Sequence, residues 1–382
     1  MNSPKEIESL GQGDRPGGDT TGSTTRRLSD LSKTITMAQI AKAAGVSQGA
    51  ISSLLNDRDY GIRVSEKTRE RVFRTCRDMG YLPNDLRAVV RMYPELGGYA
   101  LLISRQLGMA LEHPFVSRIA GAAMRAVPDP SRPISFAFYD DGADYSLNTD
   151  LLPEPVRNGT ASKFMGLGAP NTAMIGALAR RGLPFVSLGH DVPQPGVVSI
   201  LPDYARASQI ALEAFAKLGH KRIAIVSGPF GTNDPQVLEL NRGVRIAFER
   251  FGIPLDTQSV IYGDLTFAAG VTACDTLLGH TPAPTAIFCM SDAVAAGVIA
   301  RAQALGRKVP ADLSVIGCGD DPTADRTLPA LTTIHLPAEE MGRLAIDESD
   351  RLIREGTPAE PERKILAVRL NERASLAAAR KG

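Results

Sequence analysis

The sequence predicts a small all-α segment joined by a short helix to a larger, two-lobed α/β body. Between residues 34 and 83, apolar residues recur every three or four positions, and glycines and serines interrupt them where short helices end and begin. From Ala100 onward, short apolar runs alternate with amphipathic stretches, which is typical of parallel sheets wrapped by helices. Roughly 280 residues are many for one sheet of this kind, so we expect two lobes.

Composition and charge agree with two kinds of module. The chain has 382 residues, of which 43% are hydrophobic and 22% charged, enough for a large core. The net charge is only +1, but the segment Thr25–Arg91 holds thirteen Lys and Arg against seven Asp and Glu, a net of +6, which leaves −5 for the remainder. A basic segment on a mildly acidic body suggests that the segment binds a polyanion.

Cysteine usage and hydropathy predict where the protein works. The four cysteines are scattered, never spaced as CxxC, and lie in apolar stretches, so we expect buried free thiols in a reducing compartment. No apolar run approaches membrane-spanning length and the first residues lack an apolar signal core, so we expect a cytoplasmic protein. Metal-ligand and cofactor motifs are not found, and we predict no cofactor.

The chain divides into four predicted parts. Residues 1–33 are rich in Gly, Ser, Thr, Asp and Pro and are predicted to be a flexible tail. Residues 34–83 form the helical segment, residues 84–98 a connecting helix and linker, and residues 99–382 the two-lobed body.

The stretch "MAQIAKAAGVSQGAISSLLN" contains a glycine where a helix would otherwise continue. Thr36 begins the first helix in a capping box with Gln39, Gly45 ends it in the left-handed conformation, and Ser47 caps the second helix. A helix, a tight turn and a second helix make a helix-turn-helix. Its inner corner is predicted to bury Ile40, Ala44, Val46, Ile51 and Leu55. Ser65 caps a third helix, Glu66–Met79, which Gly80 closes.

The start of the second helix is the part that can enter the major groove of DNA. Gln48 can make paired hydrogen bonds to adenine, and Gly49 permits close approach. Ser52 and Ser53 can bond a base or a phosphate. The alternative is a helical hairpin within an enzyme, with Gln48 in solvent. The basic charge of the segment and its separation from the α/β body count against that alternative.

Eight strands and seven helices are predicted in the body. The strands are Ala100–Ser104, Ile134–Tyr139, Lys163–Gly168, Phe185–Leu188, Ile223–Ser227, Val260–Tyr262, Ala286–Met290 and Ser314–Gly317. The helices are Phe115–Val127, Thr172–Arg181, Tyr204–Leu218, Val237–Phe251, Ala268–Leu278, Asp292–Leu305 and Pro337–Glu355.

Ordered blocks along the chain resemble one family of transcription regulators. "ITMAQIAKAAGVSQGAISSLLN", "VSEKTRERV" and "GYLPN" are similar to the DNA-binding head of the LacI/GalR family. "HPFVSRIAGAA", "LGHKRIAIVSGP", "PTAIFCMSDAVAAGVIARAQALGRKVPADLSVIG" and "LPALTTIHLP" are similar to its ligand-binding core. The resemblance covers roughly Thr36 to Leu370.

The resemblance implies a sequence-specific regulator, most simply a repressor, that binds near-palindromic operators as a homodimer or as a tetramer. A hinge helix after the head, here Asn84–Met92, would fold on DNA and push a side chain into the minor groove; that position holds Val90. The core would be of the periplasmic-binding-protein type. A small effector, for which a sugar is one candidate, would bind between the lobes and change operator affinity.

The residue types and the family resemblance together predict a set of residues that contact DNA. Arg87 would reach a narrow groove or a phosphate. Tyr60 and Arg63 would grip the backbone or lie in a solvated loop, and the sequence favours neither. The nominated residues are Thr36, Ser47, Gln48, Gly49, Ser52, Ser53, Asn56, Tyr60, Arg63, Tyr81, Asn84, Arg87 and Val90.

The cleft departs from the family pattern at several positions, two of which remove a charged side chain. The usual cleft arginine falls on Leu240, with Arg242 nearby but out of register, and the first aspartate of the family's G-F-D-D falls on Gly319. The lost polar partners argue against transferring the usual sugar pocket unchanged. Asp292 is expected to cap a helix while Ser291 faces the ligand. The nominated effector residues are Phe115, His190, Arg242, Phe267, Ser291 and Asp320.

The sequence offers less support for two other function classes. No G-x-S-x-G, P-loop, G-x-G-x-x-G or H-E-x-x-H motif is present, which argues against an enzyme. A transporter's solute-binding protein would fit the core but leaves the basic head without a purpose. The sequence leaves open the operator, the effector, inducer or corepressor action, activation or repression, and dimer or tetramer.

Overall fold

The computed structural model describes residues 35–56, 64–81, 86–107, 113–130, 132, 134–145, 149–231, 234–253 and 257–380. The chain forms two compact units, Met1–Pro83 and Asn84–Gly382. The proposed tail 1–33 and the nominated Tyr60, Arg63 and Asn84 lie outside the described residues. The side chains of Asn56 and Arg87 are also outside the description.

The first unit contains the predicted helix-turn-helix and third helix. Gly45 ends the first helix with a φ of 65° and Gly80 ends the third with a φ of 74°, a region that side chains with a Cβ rarely adopt. Ser65 accepts a hydrogen bond from the backbone N–H of Thr68 and so begins the third helix. The helices are α1 (Met37–Ala44), α2 (Gln48–Asn56) and α3 (Glu66–Met79).

The three helices share one small apolar core. The predicted core residues Ile40, Ala44, Ile51 and Leu55 are all buried. Val46, which was predicted to be buried with them, is only half-buried, because it lies in the turn itself. From α3, the core receives side chains spaced four apart, as one helix face requires: Val72 and Cys76.

The second unit begins with the short helix α4 (Leu86–Met92) and continues into a parallel six-stranded sheet. The strand order is β11-β5-β4-β3-β1-β2, and every pairing is parallel. We call this sheet and its helices the N-lobe. Its strands are β1 (Gly98–Ser104), β2 (Ile134–Tyr139), β3 (Ala161–Leu167), β4 (Phe185–Leu188), β5 (Val197–Pro202) and β11 (Glu362–Leu366).

Helices cover both faces of the N-lobe sheet. One apolar cluster packs strand residues against α5 and α13, and a second packs the opposite strand residues against α6 and α7. A sheet buried on both faces explains why β3 is buried at every position. The helices are α5 (Pro114–Ala126), α6 (Glu154–Arg157), α7 (Thr172–Ala179) and α13 (Ala338–Glu355).

The second six-stranded sheet, with its helices, forms the C-lobe. Its order is β12-β10-β9-β8-β6-β7, and only β12 runs antiparallel to its neighbour. The strands are β6 (Ile223–Ser227), β7 (Val260–Tyr262), β8 (Ala286–Cys289), β9 (Ser314–Gly319), β10 (Thr332–His335) and β12 (Arg369–Asn371). The helices are α8 (Tyr204–Lys217), α9 (Pro235–Phe251), α10 (Phe267–Leu278), α11 (Asp292–Ala304) and α12 (Pro322–Arg326).

The chain crosses between the lobes at three places. β5 leads through Asp203 into α8, β10 leads through residues 336–337 into α13, and β11 leads through residues 367–368 into β12. Each crossover leaves the carboxyl end of a parallel strand. The carboxyl edges of the two sheets therefore face each other, and we call the space between these edges the cleft.

The predicted fold class is confirmed, with corrections in detail. Four strands are absent from the sequence-based prediction: β5, β10, β11 and β12. β10 and β11 carry polar or charged side chains, and only their pairing with neighbouring strands identifies them. All four cysteines are buried and free, as predicted.

A glycine sets the closest approach of two C-lobe helices. A Cβ on Gly243 of α9 would lie 2.1 Å from the carbonyl oxygen of Ala205 in α8. Gly243→Ala must therefore push the helices apart, and we expect the free energy of unfolding to fall by about 2–3 kcal/mol in urea titrations. Gly121→Ala on α5 is the matched control, since only the flexible end of Arg125 lies within 3.4 Å. Equal stability of the two variants would contradict the close packing.

Candidate functional sites

Both helices of the helix-turn-helix begin with side-chain caps. The Gln39 backbone N–H donates to Thr36 Oγ1 at 3.3 Å, and the Thr36 N–H donates to Gln39 Oε1 at 2.8 Å, which completes the predicted capping box. The Ala50 N–H donates to Ser47 Oγ at 3.1 Å. Thr36 and Ser47 therefore fix where the two helices start.

The beginning of α2 is exposed while the rest of that helix is anchored. Ser47, Gln48 and Gly49 are exposed, and Ala50 and Ile51 directly after them are buried. The first turn of α2 contains no acidic residue, so the positive end of the helix dipole is not offset within its own helix. This end can receive a phosphate or reach a base edge. Ser52 and Ser53 are half-buried one turn further on.

Tyr81 and Val90 flank the boundary between the units and are less accessible than the start of α2. The Tyr81 backbone N–H donates to Cys76 O at 2.9 Å and closes α3, and burial raises the pKa of the half-buried Tyr81 phenol. Val90 is 5% exposed and packs closely against Gly97. A side chain with a Cβ at position 97 would bring that atom within 3.0 Å of Val90 Cγ1. A minor-groove wedge at Val90 requires this side chain to leave that packing.

Three polar side chains meet at the carboxyl edge of the N-lobe sheet. Ser104 ends β1, Asp141 follows β2, and His190 follows β4. Ser104 Oγ donates to Asp141 Oδ2 at 2.5 Å. His190 Nε2 lies 3.9 Å from Oδ1 of Asp234, which belongs to the C-lobe. Burial lowers the pKa of His190, while the charge of Asp234, the backbone carbonyl of Leu188 and the charge of Asp141 act in the opposite direction.

Two buried side-chain atoms among the described residues lack a hydrogen-bond partner, and both belong to this group. They are Asp141 Oδ1 and His190 Nδ1. Buried polar atoms are nearly always hydrogen-bonded, since an unpaired one costs about 1–3 kcal/mol. Their occurrence together at one sheet edge marks this place as a candidate ligand site.

The first turn of α5 connects the lobes. Phe115 is half-buried and packs against the apolar clusters of both lobes. Arg118 Nη1 donates to the carbonyl oxygens of Gly319 at 3.1 Å and Asp320 at 2.9 Å in the C-lobe. Its Nε and Nη2 donate to both carboxylate oxygens of Glu339, at 2.7 and 2.8 Å, directly after the second crossover. This bidentate geometry fixes the guanidinium orientation.

The carboxylate of Asp320 is occupied within the C-lobe. Oδ2 accepts from His335 Nδ1 at 2.8 Å and from Asn371 Nδ2 at 2.6 Å, and Oδ1 accepts from Arg373 Nη2 at 2.8 Å. Burial alone would raise the pKa of Asp320, but the bonds from His335 and Arg373 lower it to about 2. Asp320 thereby joins β10 to β12, next to the second and third crossovers, and an effector would have to compete with these donors.

The helix cap at the start of α11 differs from the prediction. Ser291 accepts from the Ala293 N–H at 3.2 Å and is the cap, whereas Asp292 lies inside the helix and is 1% exposed. Asp292 accepts hydrogen bonds from Thr333 Oγ1 and from the Asp321 N–H. Burial raises its pKa to about 7. The expectation that Asp292 caps the helix was therefore wrong, because its carboxylate is turned into the lobe.

The remaining nominated side chains lie at more exposed positions. Phe267, the first residue of α10, is 51% exposed. Arg242 pairs with Glu239 at 2.6 Å and, together with Arg363 of the N-lobe, lines a pocket of about 220 Å³ beside the first crossover. Leu240, in the usual arginine slot, is fully buried in the C-lobe core.

Asn241 is a cleft residue that the sequence analysis missed. Its Oδ1 accepts from Ser227 Oγ, at the carboxyl end of β6, at 3.1 Å. The helical periodicity of α9 could have identified Asn241 from the sequence. Leu240 and Val244 form the buried face of the helix, so Asn241 projects to one side of that face.

Among the described residues, no group of three or more His, Cys, Asp or Glu side chains could hold a metal ion. No helix in that part of the chain is long and apolar enough to cross a membrane.

Comparisons with known proteins match both units. The family described as bacterial regulatory proteins, lacI family, matches residues 36–84, and the periplasmic binding protein-like domain matches residues 212–376. The HTH-type transcriptional regulator CelR of Thermobifida fusca is 30% identical over 344 residues, covering 89% of this chain and 98% of CelR. The HTH-type transcriptional repressor CytR of Escherichia coli (strain K12) is 30% identical over 323 residues, covering 81% of this chain and 87% of CytR.

Solved structures share the architecture. A transcriptional regulator CelR–cellobiose complex has a TM-score of 0.62 and 27% identity, covering 89% of this chain and 99% of that one. The lac repressor dimer bound to operator and the anti-inducer ONPF has a TM-score of 0.62 and 21% identity, covering 91% of this chain and 100% of that one.

The Asp320 cluster predicts a pH-dependent contribution to stability. Because folding lowers the Asp320 pKa from 3.8 to about 2, its ionised form stabilises the fold above pH 4, and this contribution is lost as the pH falls towards 2. We expect Asp320→Asn to lower the free energy of unfolding at pH 7 by roughly 2 kcal/mol, with a smaller difference from wild type at pH 3. Urea titrations at both pH values test this. Asp264→Asn, at an exposed carboxylate, is the control, and a deficit independent of pH would refute the assignment.

Proposed function

The chain belongs to the lacI family of bacterial regulatory proteins and is a transcriptional regulator, and on that premise we propose that it represses transcription from a specific operator. In this proposal α2 reads the operator in the major groove. A small carbohydrate bound in the cleft changes the affinity for DNA. The protein acts in the cytoplasm, where its operator is. The observation that carries the proposal is the exposed Ser47-Gln48-Gly49 end of an otherwise anchored helix.

The first two turns of α2 are proposed to contact the bases. Gln48 carries an amide that can pair with N6 and N7 of adenine, and Gly49 beside it adds no side chain that would hold the helix away from the groove. Ser52 and Ser53 lie one turn further along and bond a base or a phosphate. The buried Ala50 and Ile51 support this arrangement, because they keep the helix start rigid.

Phosphate binding supplies most of the raw affinity in this proposal. Lys67 and Arg69 are exposed near the start of α3, and the N-terminal amides of α1 and α2 add donors. Five further residues are proposed to contact DNA. Three lie outside the described residues, Tyr60, Arg63 and Asn84, and the side chains of the other two are not described, Asn56 and Arg87.

The hinge helix is proposed to rearrange on the operator. Val90 packs against Gly97 at present, so wedging between base pairs requires α4 to exchange this contact for the minor groove. Operator bending in this proposal would therefore depend on how tightly Val90 packs against the N-lobe.

The effector is proposed to lie in the cleft and to be a carbohydrate. The CelR relative with cellobiose supports this ligand class. Within the chain, the support is the unpartnered pair of atoms on Asp141 and His190, with Phe115 beside the cleft and Asn241 on the opposite lobe. Phe267 and Ser291 are proposed as peripheral contacts, whereas Arg242 and Asp320 are already engaged by neighbouring side chains.

A homodimer is the proposed assembly. The edge strand β2 presents Phe136 and Phe138, which are 40% and 44% exposed, and Met124 of α5 is 56% exposed. A second copy is the proposed occupant, supported by the dimeric lac repressor on its operator. Two joined heads would read two half-sites, so dimerisation contributes directly to operator affinity.

Selection of DNA from a random pool by the full-length protein tests the operator proposal. We expect a near-palindromic site, and Gln48→Ala should weaken binding to it by about 1–3 kcal/mol while leaving binding to unrelated duplexes nearly unchanged. Gln106→Ala, the same change on an exposed glutamine of the N-lobe, is the control. No enrichment, or an equal loss on all duplexes, would refute base reading by Gln48.

Sedimentation tests the dimer. Phe138→Asp should shift the protein from dimer to monomer at micromolar concentration, because a buried unpaired carboxylate disfavours an apolar interface. Affinity for a full palindrome should fall with it, while affinity for a half-site should not. Phe230→Asp is the control, at an 81% exposed aromatic near the cleft. An unchanged dimer with Phe138→Asp would exclude this edge as the interface.

A further inference from the structure

A buried ion pair lies near the amino-terminal ends of β1 and β3. The Lys163 side chain in β3 is 2% exposed, and its Nζ lies 3.0 Å from Asp350 Oδ1 on α13. The hydroxyl of Tyr99 in β1 donates to the same oxygen at 2.8 Å, and Lys163 Nζ lies 4.4 Å from the centre of the Tyr99 ring. Burial lowers the pKa of Lys163, while the hydrogen bond and the charge of Asp350 act in the opposite direction. We call these three residues the strand anchor.

The segment between the hinge helix α4 and β1 is held against the start of β3. Ser162 Oγ donates to the Pro94 carbonyl oxygen at 2.6 Å. Gly97 lies between β3 and α4, because an added Cβ would collide with Ser162 Oγ and lie 3.0 Å from Val90 Cγ1. Ser162 and Lys163 are adjacent in β3, so the contacts of α4 and the strand anchor occupy the same end of this strand.

α13 connects the strand anchor with the cleft. Glu339, in its first turn, accepts two hydrogen bonds from Arg118, which also holds two carbonyl oxygens of the C-lobe. Asp350 lies about three turns, or 16 Å, further along the same helix. A Cβ on Gly342 would collide with the Ile119 carbonyl oxygen, so α13 packs closely on α5, the helix that carries Arg118. The two helices are therefore placed to move as one rigid body.

The strand anchor resists displacement more strongly than the apolar packing around it. Separating Lys163 from Asp350 would leave an uncompensated charge in a low-dielectric interior, which is costly, whereas apolar contacts are not directional. Asp350 therefore holds α13 at a defined position relative to the starts of β1 and β3. A shift of α13 during lobe movement would carry these strand ends with it.

We propose that Asp350 and Lys163 are positioning residues for the hinge helix, which they couple through α13 to the Arg118–Glu339 contact at the cleft. A change in the separation of the lobes then alters the position of α4 and with it the affinity for the operator. This inference rests on the proposed binding of α4 to the operator and names the residues that connect α4 with the cleft.

A double-mutant cycle on operator affinity tests the coupling in the full-length protein. Glu339→Gln removes the charge that orients Arg118 and should change the affinity for the selected operator by about fivefold or more. In a Lys163→Met/Asp350→Asn background, the same change should alter the affinity by less than about twofold, because α13 no longer transmits it. This background removes both buried charges together and keeps an acceptor for the Tyr99 hydroxyl, so we expect it to fold.

Matched variants on α13 provide the controls. Arg343→Met/Asp347→Asn removes an ion pair of 2.8 Å whose side chains are 57% and 55% exposed. In that background, Glu339→Gln should keep its full effect on operator affinity. Glu340→Gln changes the exposed carboxylate beside Glu339 and should leave operator affinity unchanged. Urea titrations compare the stability of all variants, and a purely structural role of the strand anchor would change stability without changing the response to Glu339→Gln.

A second variant keeps the test decisive if the double substitution at the strand anchor does not fold. Tyr99→Phe removes only the hydroxyl bond to Asp350. Placed in the same cycle, it should reduce the effect of Glu339→Gln at least about twofold.

Two results would overturn the inference. One is an equal effect of Glu339→Gln with and without an intact strand anchor, and the other is an operator affinity that Glu339→Gln leaves unchanged. The DNA selection uses the unaltered protein, so an enriched operator together with either result would reject the coupling and leave the regulator intact. Absence of any enriched operator would reject the proposed function and the coupling with it.

Discussion

The guanidinium of Arg118 is the contact on which the geometry of the cleft depends. It lies at the start of α5 in the N-lobe and bonds two carbonyl oxygens at the end of β9 in the C-lobe, while Glu339 fixes its orientation. One of those carbonyls belongs to Asp320, whose carboxylate joins β10 to β12. The separation of the lobes is thus tied to the strands that flank two of the three crossovers. A ligand that moves the lobes must act against this connection.

The head obtains the exposed start of α2, its proposed reading surface, from buried and capped neighbours. Gly45 turns the chain, Ser47 starts α2, and Ile51 anchors it, so Gln48 projects from a fixed position. A side chain that reads bases needs such support, because ordering a mobile segment on binding would cost conformational entropy. Val90 is in the opposite situation, since it is buried now and would have to be exposed to act on DNA.

The polar groups of the cleft differ in how fully they are hydrogen-bonded within the protein. Asp320 and Asp292 are satisfied within the C-lobe, where they hold strands and loops together. Asp141 and His190 each keep one atom unsatisfied at the N-lobe edge. The neighbours of a carboxylate in the cleft therefore decide whether both of its oxygens are bonded within the protein, and residue type alone does not.

The sequence by itself determined the helices and caps of the head and eight of the twelve described strands of the body, because these depend on neighbours two to four residues apart along the chain. It also identified the α/β architecture and the place of His190 at a strand end. Only the tertiary structure paired the polar strands β10 and β11, turned Asp292 inward, buried Leu240 beside the cleft-facing Asn241, and surrounded Asp320 with three donors. Those outcomes depend on residues far apart in the sequence meeting in space, such as Glu362 of β11 and Val198 of β5, and a local pattern carries no information about such pairs.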